Sequence, residues 1–205
     1  MTDNDTIVRT LLAEHGRTYC DESGFTLKDK PSPLFQLLVL TILLAKPISA
    51  DIAAAANAEL RRIGVRTARG TLRTDWQQRV DALGRAHYKR YDESTATRLE
   101  QAAQLVLDRW HGDLRKLAAE SDHDPEAAAD LLTEIPGIGP AGADIFLREA
   151  QAVWHWCRPY LDARVLDGAR QAGLPYSRRG LAAVFEGRDA VRLGAALVRI
   201  TTQED

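Results

Sequence analysis

Cysteine is scarce in this chain. Its 205 residues include only Cys20 and Cys157, too few for a disulfide scaffold or a four-cysteine metal or cluster site. Long apolar runs are missing too. The most apolar stretch, residues 34–45, is interrupted by Gln36 and Thr41 and ends after 12 residues at Lys46-Pro47. A bilayer-spanning helix needs about 20 apolar residues, so this stretch is expected to be a buried core helix, with no membrane contact. The N-terminus opens with acids and has no basic region followed by an apolar run. No secretory signal is therefore expected, and the default compartment is the cytoplasm, with nucleoid association in a bacterium. Alternating strand patterns, sequence repeats and low-complexity segments are all lacking. An excess of positive charge is lacking as well: 27 basic side chains face 29 acidic ones, for a net charge of −2. Taken alone, that balance argues against holding nucleic acid by bulk charge.

What is present is helical. Apolar residues recur at three- and four-residue spacing in a background of Ala, Leu, Arg and Glu. The pattern predicts helices over 5–15, 33–45, 50–63, 75–85, 93–110, 125–134, 140–151, 162–172, 178–186 and 188–200. Start signals include Ser49 and Asp51, Ser94, and Pro125 in a first turn. The fold class is all-α. Charge is distributed in blocks: residues 61–90 hold nine basic side chains against two acids, +7, while residues 91–130 hold ten acids against four bases, −6. The basic block is either part of a phosphate-facing surface or an arginine-rich solvated face. If it faces DNA, its arginines should join one face while the acids of 91–130 point away.

The informative segment is residues 131–143, LLTEIPGIGPAGA. An apolar helix ends near Ile135, Pro136-Gly137-Ile138-Gly139 turns the chain, and a second helix begins at Pro140. Glycines 137 and 139 permit backbone conformations that a Cβ resists, and Ile138 can plug the core between the two helices. The turn then offers backbone N–H groups and a helix N-terminus to an anion such as a DNA phosphate. Such a grip reads no base sequence and needs little net charge.

This pattern resembles the helix-hairpin-helix motif, and Asp162, 19 residues beyond Ala143, falls where the endonuclease III superfamily of DNA glycosylases places an aspartate that opens the next helix. The resemblance covers roughly residues 30–170. It implies two helical lobes with a DNA-binding cleft between them: residues 31–136 as a six-helix-type lobe that includes the first hairpin helix, and residues 1–30 with 137–205 as a second lobe carrying Asp162. It places Pro136, Gly137, Ile138, Gly139 and Ala141 at a DNA phosphate. Lys46 would enter the duplex near a flipped base, or is a surface lysine before a turn proline; His87, Tyr88, Lys89 and Arg90 would intercalate or contact the strand, or form an exposed polar loop. Two departures define the subtype. Bifunctional members carry a Schiff-base lysine where this chain has Ala141, so AP-lyase chemistry should be missing. Members with an iron–sulfur cluster carry four cysteines near the C-terminus, where this chain has none. The adenine-removing branch has a glutamate where Thr41 appears here.

Breaking an N-glycosidic bond builds positive charge on the sugar, which a carboxylate can stabilise while orienting water. Asp162 is the expected catalytic group; its alternative reading is an N-cap, and the two are compatible. Trp154 and Trp156, with His155 and Tyr160 nearby, either line a base pocket suited to cationic alkylated bases or pack the core. Asp144 is either a pocket group or a first-turn acid. No metal ligands are expected, and no cofactor beyond a monovalent cation at the hairpin. The resulting expectation is a monomeric, monofunctional DNA glycosylase of base excision repair, acting by base flipping on duplex DNA with a damaged base, an alkylated one in the aromatic-pocket reading. The alternative is a catalytically weak or inactive relative that binds abasic or distorted DNA.

Overall fold

The computed structural model describes residues 3–201. Its helices are α1 (Asp3–His15), α2 (Tyr19–Glu22), α3 (Pro31–Leu44), α4 (Ala50–Arg62), α5 (Ala68–Arg73), α6 (Trp76–Arg85), α7 (Asp92–Trp110), α8 (Arg115–Glu120), α9 (Pro125–Thr133), α10 (Pro140–Ala150), α11 (Ala163–Gln171), α12 (Arg178–Phe185) and α13 (Ala190–Thr201). A 3₁₀ turn spans His155–Cys157, and no strand occurs among the described residues. The all-α expectation holds. No helix among the described residues is long and apolar enough to cross a membrane.

The helix boundaries follow local chemistry. Ser49 caps α4 by accepting the Ile52 N–H, and Asp75 and Gln78 form a reciprocal capping box at α6. Asp124 caps α9 ahead of Pro125. Each cap satisfies N–H groups that have no acceptor inside their helix. Ser94 is the exception: α7 starts earlier, at Asp92, and Ser94 donates back to the Tyr91 carbonyl instead. Helix α3 is buried on nearly every side, from Leu34 to Leu43, as its predominantly apolar character requires.

Apolar side chains form two clusters. The first surrounds α3 and includes Leu60, Leu83, Leu99, Trp110, Leu132, Ile135 and Ile138, extending through Phe146 and Leu147 of α10 to Cys157. The second joins α1, α11, α12 and α13 through Val8, Val165, Leu181, Phe185, Leu193 and Leu197. The clusters change over between Cys157 and Leu161, so the sequence boundary at 136–137 passes through the first cluster. Helix α10 therefore lies on the seam, packed against α3 and α9 on one side and against α13 on the other.

Candidate functional site

Gly137, in the turn between α9 and α10, has φ +98°. A Cβ there would also lie 3.2 Å from Ile42 Cγ2 and 3.4 Å from Arg98 Cδ. Glycine is thus required by conformation and by space. Ile138 is buried, its N–H bonds the Ile135 carbonyl at 3.0 Å, and its side chain packs beside Gly142 and toward Thr41. Gly139 caps α10 without a side chain, and Pro140 occupies the first turn. Ala143 N–H pairs with the Gly139 carbonyl at 2.9 Å, while Gly139, Ala141 and Gly142 have no backbone acceptor among the described residues. Unpaired donors at a helix N-terminus are an anion-binding arrangement. Arg98 of α7, exposed and next to Gly137, adds a cation. Sequence reasoning missed it because it lies inside the acidic block.

Downstream of the hairpin, Ala141, Asp144, Ile145 and Arg148 share one face of α10. They line a cavity of about 350 Å³ together with Lys46, Asp162 and Arg164. Beyond Asp144 and Asp162 lies a cavity of about 680 Å³, bounded by Asp130, Tyr160 and Arg178 among others.

Asp162 caps α11. Its Oδ1 accepts the N–H groups of Arg164 at 2.8 Å and Val165 at 3.1 Å, and its Oδ2 accepts from Arg148 Nη1 in an ion pair. Both side chains are only 2% exposed. A carboxylate has about four lone-pair sites; three are filled here, and one on Oδ2 is left. The position of α11 is fixed by a close helix crossing, since a Cβ on Gly168 would fall 2.0 Å from the Leu197 carbonyl oxygen of α13. Arg178 braces the approach by donating to the Leu161 carbonyl at 2.8 Å.

Asp144 has a different environment. Half-buried, it accepts one hydrogen bond, from the Tyr160 hydroxyl at 2.7 Å. Burial pushes its carboxyl above the usual carboxylate range; the Tyr160 bond opposes that, the Asp162 charge adds to it, and Arg148 and Arg178 pull it back. The Tyr160 phenol is itself pushed well up by burial and by Asp144. Arg148 was not singled out from the sequence, although it shares a helical face with Ala141 and Asp144 at spacings of seven and four.

The other expected site residues separate into two groups. Lys46 lines the smaller cavity, with Nζ 5.8 Å from the Tyr91 ring centre. His87, Lys89 and Arg90 are exposed in the turn after α6, where His87 has φ +62°. Tyr88 does not join them. It is 0% exposed, its hydroxyl donates to the Leu43 carbonyl at 3.1 Å, and burial pushes its phenol up to about 12. A side chain sealed in the core cannot wedge into a base stack. Trp154 is likewise a core residue at 3% exposure, stacked on Trp156 at 5.3 Å and donating to Asp29 at 3.2 Å. Trp156 is half-buried in a T-shaped contact with His123 at 5.5 Å, and neither indole lines the two cavities. The aromatic base pocket is therefore replaced by packing.

Part of the basic block is also consumed internally. Arg79, 1% exposed, pairs with Glu100 and donates to the carbonyls of Thr71, Thr74 and Ala96. Arg62 and Arg85 share Glu59, and Arg61 donates to the carbonyls of Ser23 and Gly24. With Arg66 donating to the Arg61 carbonyl at 3.0 Å, five of the nine cations are thus engaged by acceptors of the chain itself. The two cysteines are buried, Cys20 in α2 and Cys157 at the end of the 3₁₀ turn; a four-thiolate iron–sulfur cluster does not fit this donor set.

A solved structure of a trapped endonuclease III–DNA covalent intermediate, the estranged-adenine complex, matches this chain with a TM-score of 0.53. The alignment covers 97% of this chain and 85% of that one at 12% identity. No family model matches the chain, and no curated protein matches it in sequence. The fold is that of endonuclease III.

Proposed function

We propose that this protein is a monofunctional DNA glycosylase that hydrolyses a damaged base from duplex DNA, acting as a monomer. The observation that carries the reading is Asp162: a buried carboxylate fixed at the start of α11, beside a hairpin with free N–H donors, with one lone pair left on Oδ2. The hairpin N–H groups and Arg98 would grip a backbone phosphate, holding the duplex without reading its sequence. Lys46, at the mouth of the smaller cavity, and the exposed His87, Lys89 and Arg90 would meet the strand as the target nucleotide leaves the stack. Asp162 would stabilise positive charge on the sugar as the glycosidic bond lengthens and would orient the attacking water. Ala141 supplies no amine, so no Schiff base to the sugar forms and the abasic strand stays intact.

One observation favours a second reading. Arg148 compensates the charge of Asp162, and a neutralised carboxylate stabilises an oxocarbenium-like sugar less well. A relative that binds abasic or distorted DNA with little excision fits that feature.

A lesion panel separates the two readings. Duplexes bearing alkylated, oxidised, deaminated or mismatched bases are incubated with the protein, then abasic sites are cleaved with alkali. Base release that is lost in Asp162→Asn supports the glycosylase. Tight binding to an abasic analogue with no release from any duplex selects the binding protein. Borohydride should trap no covalent complex in either case, and a trapped complex would overturn the role given to Ala141.

A further inference from the structure

Two carboxylates line both cavities of the cleft, Asp144 from α10 and Asp162 from the start of α11. Glycosidic hydrolysis needs two distinct services: negative charge beside the sugar, and a proton for a base that departs as an anion. Asp162 has three donors on it and is paired with Arg148, so it can offer charge and no proton. Asp144 has one donor, the Tyr160 hydroxyl on Oδ1, which leaves Oδ2 without a hydrogen-bond donor among the described residues and facing the cleft.

Building on the glycosylase reading above, we propose that Asp144 is the proton donor to the departing base, and that the substrates are bases that leave as neutral species only after receiving that proton. The C1′–N bond breaks with its electron pair on the base nitrogen, and the Asp144 proton passes to the base. Water adds its oxygen to C1′ and gives its proton to the open lone pair of Asp162. Both carboxyls return to their starting states by exchange with bulk water. The products are the free base and an abasic sugar. A cationic alkylated base already carries the charge that the proton would supply, so its release does not need Asp144.

The surroundings of Asp144 suit a donor. Burial and the Asp162 charge favour its protonated form, opposed by Tyr160, by Arg148 on the same helix and by Arg178 of α12. Asp124, Glu126 and Asp130 at the start and along α9, Lys46 of the α3–α4 turn and Arg164 of α11 complete the charged groups around the same cavities. A carboxyl raised by burial beside a second one ion-paired with Arg148 is the arrangement expected of an acid paired with a charge stabiliser.

The test compares wild type with Asp144→Asn, which keeps an acceptor for Tyr160 but has no acidic proton. Single-turnover release is measured from duplexes bearing uracil or hypoxanthine, which leave as neutral bases, and from duplexes bearing 7-methylguanine, which is cationic. Release of the neutral bases should fall by about 10²- to 10⁴-fold, while release of any cationic base stays within a few-fold. The rate on neutral bases should decline as pH rises through the Asp144 titration. Tyr160→Phe, which removes a bond that lowers that titration, should move the decline to higher pH. Wild type that excises neutral bases with Asp144→Asn equally active overturns this proposal and leaves the glycosylase reading intact. Wild type that excises only cationic bases also overturns it alone. Release from no duplex overturns both. Carboxyl ¹³C NMR gives an arm independent of activity: an Asp144 signal, assigned by its loss in Asp144→Asn, that titrates at or below the ordinary aspartate range overturns the proposal.

Discussion

Asp144 and Asp162 differ in almost everything but residue type. Asp162 lies where the two apolar clusters meet, is covered by Arg148, and has a helix N-terminus built onto it. Asp144 stands on the open face of α10 with a single phenol for company. The difference shows how one fold can give two acids opposite tasks through donors and burial alone. In the proposed reaction the carboxylate with three donors supplies the charge, and the one with a single donor supplies the proton.

Removing the partner of the sealed carboxylate should have the largest effect. Arg148→Met leaves a buried charge without its cation and should cost about 3–5 kcal/mol in chemical denaturation. The double variant Arg148→Met/Asp162→Asn should lose less than the sum of the single variants, because the uncompensated charge is gone. Gly168→Ala comes next. The added methyl cannot fit against the Leu197 carbonyl, so α11 must shift, at about 1–3 kcal/mol. It should impair any activity that depends on Asp162 while the Asp144–Tyr160 pair on the other side persists. Tyr160→Phe acts on the open carboxylate only and should cost about 0.5–1.5 kcal/mol in thermal or urea unfolding.

The smallest effect is a pH dependence. The folded state holds the Asp144 proton more tightly than the unfolded chain does, since burial raises that group. Wild type therefore loses stability as pH rises from the ordinary aspartate value through the raised one. Asp144→Asn has no such loss, so its stability relative to wild type should improve across that window and level off above it. Glu149, buried beneath the N–H groups of Tyr19 and Cys20, shifts in the same direction in both proteins and cancels in the difference. An unchanged difference across the window would mean that the two carboxylates are not distinguished in this way.

Helices longer than one or two turns were legible in the chain, because a periodic apolar face and a cap are local signals. α4 was expected over 50–63 and runs Ala50–Arg62; α10 was expected over 140–151 and runs Pro140–Ala150. The short helices α2, α5 and α8 were not, since four to six residues are too few to display a period. The hairpin was legible for the same local reason: glycine at 137 is demanded by the backbone of the turn itself. Burial was harder to read. Tyr88, set among Arg85, Lys89 and Arg90, looks like a surface aromatic until α3 supplies the Leu43 carbonyl for its hydroxyl.

The opening charge balance illustrates the same division. Sequence alone determined that +7 and −6 lie in adjacent blocks, that α3 must be buried, that 136–139 is a tight turn, and that position 141 has no amine. Those are properties of composition, periodicity and backbone conformation, which act over a few residues. Tertiary structure alone decided that Arg79 holds the core and Arg98 stands at the hairpin. It also brought Arg148 onto Asp162, and Tyr160 onto Asp144, across 14 and 16 residues. Desolvation and ion pairing depend on what packs against a group from elsewhere in the chain, so the chemistry of an acidic side chain is settled only when the helices meet.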